Sequence, residues 1–226
     1  MPHNRLEDLL PGDSMQDRLI EKLIAGNRSW ANEIKARDPE YFTRLSREQR
    51  PMCLWIGCSD SRVPVSQALG LAPGDVFVHR NVGNIVSHTD LNCLTAIQFA
   101  VEFLRVEDIV ICGHYGCGAV TAVIEDQRLG LGDYWLHGIR AIYDGLQEKL
   151  KTLGDDQGHE YVCEMNVLAQ FYNICRTPIV RDAWDRGQRV SVHGLIYSIS
   201  DGLLRDLGLH VSAADQVAAI MQRSQA

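Results

Sequence analysis

Short apolar runs that alternate with amphipathic stretches are the feature that most limits how this chain can fold. The runs lie at residues 52–57, 76–79, 108–113 and 189–198, and each is typical of a buried strand. Between the runs, apolar residues recur at the spacing of one helix face. Alternation of strands with helices predicts an α/β fold, in which a mostly parallel β-sheet is flanked by helices.

The segments between the runs carry their own predictions. Helices are expected at residues 91–104, 134–151 and 160–175, with a turn into a helix at 116–124 and a further short helix from Pro178. Residues 154–158 are polar and predict a loop. Gly194, inside the fourth run, predicts a bend or a bulge in that strand.

The beginning of the chain has a different pattern. Residues 14–50 predict helices, the first with Leu19 and Leu23 on its apolar face and the next with Trp30 and Ile34. This segment is charged outside its apolar stripe. Two placements fit this pattern equally well: an arm that packs on a partner subunit, or helices that pack on their own domain.

We expect one structural domain overall, made of two parts. These are the N-terminal helical arm at residues 1–50 and an α/β domain at residues 51–226. Hydrophobic residues make up 46% of the chain, which is enough for a substantial core. The formal net charge of −7 argues against a general nucleic-acid binder and against a basic membrane-surface protein.

The chain also lacks the patterns of exported and membrane proteins. Residues 1–8 have no apolar core of a signal peptide, and no apolar run approaches the roughly 20 residues that span a bilayer. The seven cysteines are an odd number, which suits a reducing compartment better than a disulfide framework. We therefore expect a cytoplasmic protein with no nucleic-acid or membrane partner.

Four metal-type ligands follow two of the apolar runs. Cys58 and Asp60 come after the first run, and His114 and Cys117 come after the third. Thiolate, imidazole and carboxylate are the ligands that zinc prefers, and the carboxyl ends of parallel strands meet at one edge of a sheet. Each residue alone would more often be a packing or loop residue, but the two clusters together predict a zinc site.

The other cysteines lack such neighbours and are assigned to packing. They are Cys53, Cys93, Cys112, Cys163 and Cys175.

Three segments of the chain resemble the signatures of the β-class carbonic anhydrases. They lie at residues 55–64, 77–84 and 112–118, and the resemblance extends from the N-terminal helices to about Leu207. It implies a zinc lyase, with one Zn²⁺ per subunit, that converts carbon dioxide and water reversibly into bicarbonate and a proton. It also implies a homodimer, often paired into a homotetramer, in which the arms embrace a partner. The domain at 51–226 is then the zinc-binding catalytic domain.

The resemblance also implies roles for individual residues. Cys58, His114 and Cys117 match the permanent zinc ligands, and Asp60 and Arg62 match the catalytic dyad. Asp60 is expected to accept the proton of a zinc-bound hydroxide that attacks carbon dioxide, while Arg62 holds the carboxylate in place. In a second, closed state Asp60 is itself the fourth zinc ligand, which leaves the metal no open position.

A narrower resemblance concerns Trp55, Arg80 and Tyr197. These residues match a non-catalytic bicarbonate pocket found in one subgroup, typified by many bacterial enzymes. The match predicts allosteric inhibition by bicarbonate and by low pH, through coordination of Asp60 to zinc. From the residues alone, Trp55 would be a core residue, Arg80 a member of an ion pair and Tyr197 a strand aromatic.

Three other functions compete with carbon dioxide hydration. A hydrolase of a linear sulfur analogue such as carbon disulfide could use the same motifs, which do not separate the two. A non-catalytic zinc protein would have no need of the Asp60–Arg62 pair. A thiol redox protein is disfavoured because the chain has no Cys-x-x-Cys motif.

Overall fold

Residues 50–224 contain one mixed β-sheet in a computed structural model that describes residues 15–224. The strands are β1 (Cys53–Cys58), β2 (Val76–Asn81), β3 (Asp108–His114), β4 (Ser191–Tyr197) and β5 (Leu204–Val211). Their order across the sheet is β2-β1-β3-β4-β5. The first four run parallel, and β5 is antiparallel to β4. The predicted α/β class with a mostly parallel sheet is therefore confirmed.

Eleven helices accompany the sheet in the described residues. They are α1 (Met15–Arg37), α2 (Tyr41–Leu45), α3 (Val65–Leu69), α4 (Leu91–Gln98), α5 (Gly118–Ile124), α6 (Leu131–Trp135), α7 (His137–Gly145), α8 (Gln147–Leu150), α9 (Asp155–Arg176), α10 (Pro178–Asp185) and α11 (Ala214–Ser224). A π-helical turn at Phe99–Phe103 continues α4. None of the helices in residues 15–224 is long and apolar enough to cross a membrane.

The chain divides into two compact units, Met1–Gln49 and Arg50–Ala226. In the first unit, α1 is one continuous helix of 23 residues, so the predicted break between two helices is wrong. Trp30 of α1 meets Phe42 of α2 edge to face, with the ring centroids 5.6 Å apart. The side chains of Leu19 and Leu23 are more than half exposed on this unit.

The second unit has its core on both faces of the sheet. On one face, Leu54 of β1 and Ile111 of β3 belong to a buried cluster that includes Phe171 of α9. On the other face, Trp55 and Tyr197 form a smaller buried cluster. Because β1 and β3 are covered on both sides, their sequences are nearly continuous apolar runs.

Three elements were not predicted, namely α3, β5 and α11. Strand β5 escapes prediction because its alternation is broken at Gly208, which has φ +69° and donates its N–H to Asp206 Oδ1 at 2.8 Å. The predicted loop at 154–158 is also wrong, because α9 already begins at Asp155. Its first turn is polar and therefore carries no apolar signal.

The prediction of a bend or a bulge at Gly194 is confirmed. The register between β4 and β5 shifts between Gly194 and Leu195. A Cβ atom on Gly194 would lie 2.6 Å from Leu209 Cδ1 and 2.9 Å from Leu209 Cβ, so the Leu209 side chain of β5 occupies the space that a side chain would need here.

Replacing Phe171 should destabilise the fold strongly. Its side chain has no exposed surface, so Phe171→Ala leaves a cavity against the sheet. We expect the free energy of unfolding to fall by about 3–5 kcal/mol, measured by urea denaturation at one fixed protein concentration. Leu131→Ala, at a side chain that is 87% exposed, is the control and should change it by less than about 0.5 kcal/mol. Equal losses in the two variants would contradict this placement of the core.

Candidate metal centre

Cys58 ends β1, and the loop that follows it is held by the next strand. The side chain of Arg80 on β2 donates from Nε to the carbonyl of Cys58 at 2.8 Å and from a terminal nitrogen to the carbonyl of Asp60 at 2.6 Å. The backbone N–H of Ser59 donates to the carbonyl of Asn81 at 2.8 Å. These bonds fix the direction in which the Cys58 and Asp60 side chains leave the backbone.

His114 ends β3 and is 1% exposed. Its Nδ1 lies 3.0 Å from the carbonyl oxygen of Tyr115, so this nitrogen carries the proton that the carbonyl accepts. The lone pair of the neutral ring is then on Nε2, which is buried and has no hydrogen-bond partner. An orphaned, buried lone pair of this kind is suited to a metal ligand.

Cys117 completes a group of three ligand atoms. It precedes α5, and its carbonyl accepts a hydrogen bond from Thr121 Oγ1 at 3.2 Å. The ligand atoms of Cys58, His114 and Cys117 all lie within 4.8 Å of one another. Two sulfurs bound to one tetrahedral zinc ion at about 2.3 Å would lie about 3.8 Å apart. The two Sγ atoms here are 3.9 Å apart, so the residues fit zinc.

The contact between the two sulfurs shifts the pKa values of the two thiols in opposite directions. The pKa of Cys58 is lowered, first by the hydrogen bond from the Cys117 thiol, and the N–H of Gly83 adds a second donor to the sulfur at 3.5 Å. The pKa of Cys117 is raised, first by the same contact with Cys58 and then by burial. A divalent cation placed between the sulfurs would replace the thiol proton of this hydrogen bond and favour both thiolates.

The remaining cysteines lie outside the group of three ligand atoms. Burial raises the pKa of each thiol in Cys53, Cys93, Cys112, Cys163 and Cys175. They therefore stay protonated at neutral pH, in line with their assignment to packing.

Asp60 lies beside the three ligand atoms and is paired with Arg62. Arg62 donates to the carboxylate from Nε at 2.9 Å and from a terminal nitrogen at 2.7 Å, and its backbone N–H adds a third bond at 2.9 Å. Oδ2 of Asp60 lies 3.8 Å from Nε2 of His114. The Arg62 side chain, as the largest cause, holds the pKa of Asp60 well below its usual range. The carboxylate is therefore ionised and oriented toward the ligand group without belonging to it.

The residues of α9 that support this centre were not predicted from the sequence. Asn166 donates to the carbonyl of Gly83 at 2.9 Å, and the N–H of Gly83 points to the Cys58 sulfur. Gln170 donates to Asn166 Oδ1 at 2.9 Å and accepts from the N–H of Val86 at 2.9 Å. The buried side-chain amides of Asn166 and Gln170 thus hydrogen-bond the loop after β2 and set the position of the Gly83 N–H.

Removing the Asn166 amide should weaken this support. In Asn166→Ala the carbonyl of Gly83 and the amide of Gln170 lose buried partners, which costs about 1–3 kcal/mol of unfolding free energy per group. Because Asn166 positions the Gly83 N–H that donates to the Cys58 sulfur, zinc affinity should fall about 10- to 100-fold, the usual cost of losing an outer partner of a metal site. Competition with a chelator measures the affinity.

The exposed Asn92 of α4 provides the matched control. Asn92→Ala should change neither the unfolding free energy nor the zinc affinity. An Asn166→Ala protein with unaltered zinc affinity would show that the contact with Gly83 does not support the metal site.

Trp55 lies on β1 and Arg80 on the neighbouring β2, whereas Tyr197 ends β4, which β3 separates from β1. Trp55 is 2% exposed and Tyr197 is 8% exposed, and both belong to the same buried cluster. The indole Nε1 of Trp55 has no hydrogen-bond partner, whereas donors of Arg80 are bound to the loop that carries Asp60.

Comparison with known proteins agrees with this centre. The carbonic anhydrase family profile matches residues 53–204. A carbonic anhydrase of Emericella nidulans is 39% identical over 190 residues, covering 84% of this chain and 83% of the relative. A carbonic anhydrase of Pseudomonas aeruginosa is 34% identical over 199 residues, covering 81% and 85%.

The similar solved structures are also carbonic anhydrases. The β-carbonic anhydrase of Coccomyxa in complex with acetazolamide has a TM-score of 0.83 at 40% identity, covering 88% of this chain and 90% of that one. A tetrameric β-carbonic anhydrase of Sordaria macrospora has a TM-score of 0.81 at 36% identity, covering 86% and 99%.

A mostly parallel α/β sheet with two thiols and an imidazole at its carboxyl edge is suited to binding zinc. The chain belongs to the β-class carbonic anhydrase family. It is accordingly a zinc lyase for the hydration of carbon dioxide, as the resemblance of its motifs implies. The relatives include both fungal and bacterial enzymes, so the match does not assign the chain to a bacterial subgroup.

Proposed function

We propose that Cys58, His114 and Cys117 hold the catalytic zinc and that Asp60 and Arg62 form the catalytic dyad. The observation that carries this proposal is the position of the Asp60 carboxylate, 3.8 Å from His114 Nε2 and held by Arg62 on both oxygens. Zinc, when bound, supplies an acidified water that can attack carbon dioxide near neutral pH. Two thiolate ligands cancel the charge of the ion, so the dyad has to assist that water.

Asp60 has the chemistry for that assistance. As an ionised carboxylate it accepts the remaining proton of the nucleophile and orients the lone pair toward the substrate carbon. Arg62 occupies the outward side of the carboxylate and keeps it from turning onto the metal. In the alternative, closed arrangement Asp60 would coordinate zinc, and Arg62 would lose its partner.

The function is tested by stopped-flow hydration of carbon dioxide with purified, zinc-replete protein across pH 6–9. Rapid hydration at alkaline pH is the expected result, and zinc-replete protein without hydration would overturn the proposal. Carbon disulfide is offered as a second substrate in the same assay. Faster turnover of carbon disulfide than of carbon dioxide would favour the sulfur-analogue hydrolase.

A finer proposal concerns regulation by bicarbonate at Trp55, Arg80 and Tyr197. It is supported by the unpartnered Nε1 of the buried Trp55, which can donate to an oxyanion. Bicarbonate bound to Arg80 would compete with the carbonyls of Cys58 and Asp60 for its guanidinium. Release of these carbonyls would let Asp60 reach zinc, so the anion would bind the closed state more tightly. Low pH favours the same state, because less hydroxide competes with the carboxylate.

Tyr197→Phe and Trp55→Phe test the pocket through initial-rate inhibition by bicarbonate. Loss of inhibition with the uninhibited rate retained is expected if these donors bind the anion. Tyr172→Phe, on α9, is the control that alters a buried tyrosine hydroxyl elsewhere. Inhibition that persists unchanged in both pocket variants would rule out this pocket.

We also propose that the enzyme is a homodimer or a homotetramer and that it works in the cytoplasm. The open apolar face of α1, with Leu19 and Leu23 exposed, supports a subunit contact, and the similar Sordaria macrospora enzymes are tetrameric. Sedimentation at several concentrations measures the assembly. A Leu19→Ser, Leu23→Ser double variant should shift it toward the monomer, and an unchanged distribution would contradict a role for this face.

A further inference from the structure

A second group of metal-type ligands lies on the sheet apart from the zinc centre. His193 of β4 and His210 of β5 are directly paired across these antiparallel strands. Their Nδ1 atoms lie 3.1 Å apart, and Nε2 of His193 lies 2.8 Å from Oδ1 of Asp108 on β3. His193 is near the start of β4, whereas the zinc centre is at the carboxyl ends of the strands, so the two groups occupy opposite ends of the sheet.

The arrangement of the two rings fits convergence on a shared cation. Imidazole nitrogens bound to one tetrahedral ion at about 2.1 Å lie about 3.4 Å apart, close to the 3.1 Å found here. A head-on hydrogen bond of the same length between the rings would place their centroids about 5.5 Å apart, because each centroid lies about 1.2 Å behind its nitrogen. The centroids are 4.7 Å apart, with the ring planes tilted by 37°, so the rings lean away from a head-on bond.

Asp108 prepares His193 for this role. Its carboxylate accepts the proton of Nε2, which leaves the lone pair of the neutral ring on Nδ1, the atom that faces His210. Metal-binding histidines commonly donate their other ring N–H to a carboxylate in this way, and the contact fixes both tautomer and ring orientation. Asp108 is thus an outer partner of the pair.

We propose that His193 and His210 bind one divalent transition cation, such as Zn²⁺ or Ni²⁺, through their Nδ1 atoms, with water at the remaining positions. Imidazole nitrogen suits these borderline cations, whereas Mg²⁺ and Ca²⁺ prefer oxygen. The bound ion links the edge strand β5 to β4 at the His193–His210 pair, one residue pair before the register shift that follows Gly194. Because the site shares no residue with the zinc centre, its occupancy is separable from carbon dioxide hydration.

Calorimetric titration of the zinc-loaded enzyme with Ni²⁺ tests the proposal. The titration is expected to show one Ni²⁺ bound per chain. Metal analysis after desalting should show that the resident zinc is retained. His193→Gln and His210→Gln should each weaken Ni²⁺ binding at least tenfold, with hydration activity and zinc content unchanged. Asp108→Asn should weaken it about 10- to 100-fold. If the zinc-loaded wild-type protein binds no Ni²⁺, the proposal is overturned.

His137→Gln is the matched control, because it removes a histidine whose Nδ1 bonds to the carbonyl of Tyr134. Ni²⁺ binding that depends on His137 and is indifferent to His193 and His210 would also overturn the proposal.

Electron paramagnetic resonance with Cu²⁺ as the probe gives a readout on the wild-type protein and does not rely on any variant. Hyperfine coupling to two nitrogens is expected from the pair, and coupling to one nitrogen or to none contradicts it.

Discussion

Cys117→Ser protein is expected to lose zinc and activity together. A serine hydroxyl does not deprotonate at neutral pH as a zinc-bound thiol does, so the ion would keep only Cys58 and His114 of the three ligand atoms that converge here. We expect zinc content to fall from about one ion per chain to less than about a tenth, and the catalytic efficiency for hydration to fall by about 10³-fold or more. Metal analysis and stopped-flow hydration measure the two quantities.

Cys93→Ser provides the control for this substitution. Cys93 is also buried, on α4, but its sulfur does not belong to the group of ligand atoms formed by Cys58, His114 and Cys117. Its zinc content and activity should match the wild type even if its stability falls. A Cys117→Ser protein that keeps zinc and full activity would show that Cys117 is not a ligand.

The second large effect is expected at the dyad. Asp60→Asn removes the proton acceptor, and Arg62→Leu removes the two donors that hold the carboxylate. Each should lower kcat by about 10²-fold or more with zinc retained, because a positioned acid or base contributes about 10²- to 10⁴-fold. Arg140→Gln, which breaks the ion pair with Asp126 instead, should leave kcat unchanged. Loss of zinc in parallel with kcat would assign the dyad a structural role.

The pKa of Asp60 gives the dyad a distinct pH signature. Because Arg62 depresses this pKa in the folded enzyme, the ionised pair stabilises the fold above the unfolded-state value of about 3.9, and that stability is lost as the pH falls below it. Protonation of Asp60 therefore does not shape the rate profile between pH 6 and 9. In Arg62→Leu the acid-unfolding midpoint should move to higher pH, and an unchanged midpoint would contradict the pairing.

The sheet and the place of the site could be predicted from the sequence because both depend on local pattern. Strands β1 and β3 are buried on both faces and therefore read as continuous apolar runs, and ligands that follow such strands must meet at one edge. Strand β5 lies at the edge of the sheet and is interrupted by the Asp206–Gly208 turn. Its apolar and polar residues therefore do not alternate regularly.

The support of the zinc centre could not be predicted, for a related reason. The contact of Asn166 with Gly83 joins residues 83 positions apart, and the clamp of Arg80 on the Asp60 loop joins residues 20 positions apart. Neither contact leaves a local pattern. The pairing of His193 with His210 likewise depends on the register of an unpredicted strand.

Zinc K-edge absorption spectroscopy of the purified protein tests the central claim most directly. A centre held by Cys58, His114 and Cys117 predicts two sulfur atoms at about 2.3 Å and two nitrogen or oxygen atoms at about 2.0–2.1 Å from the metal. A first shell without sulfur, or with four sulfurs, would contradict the assignment of this site.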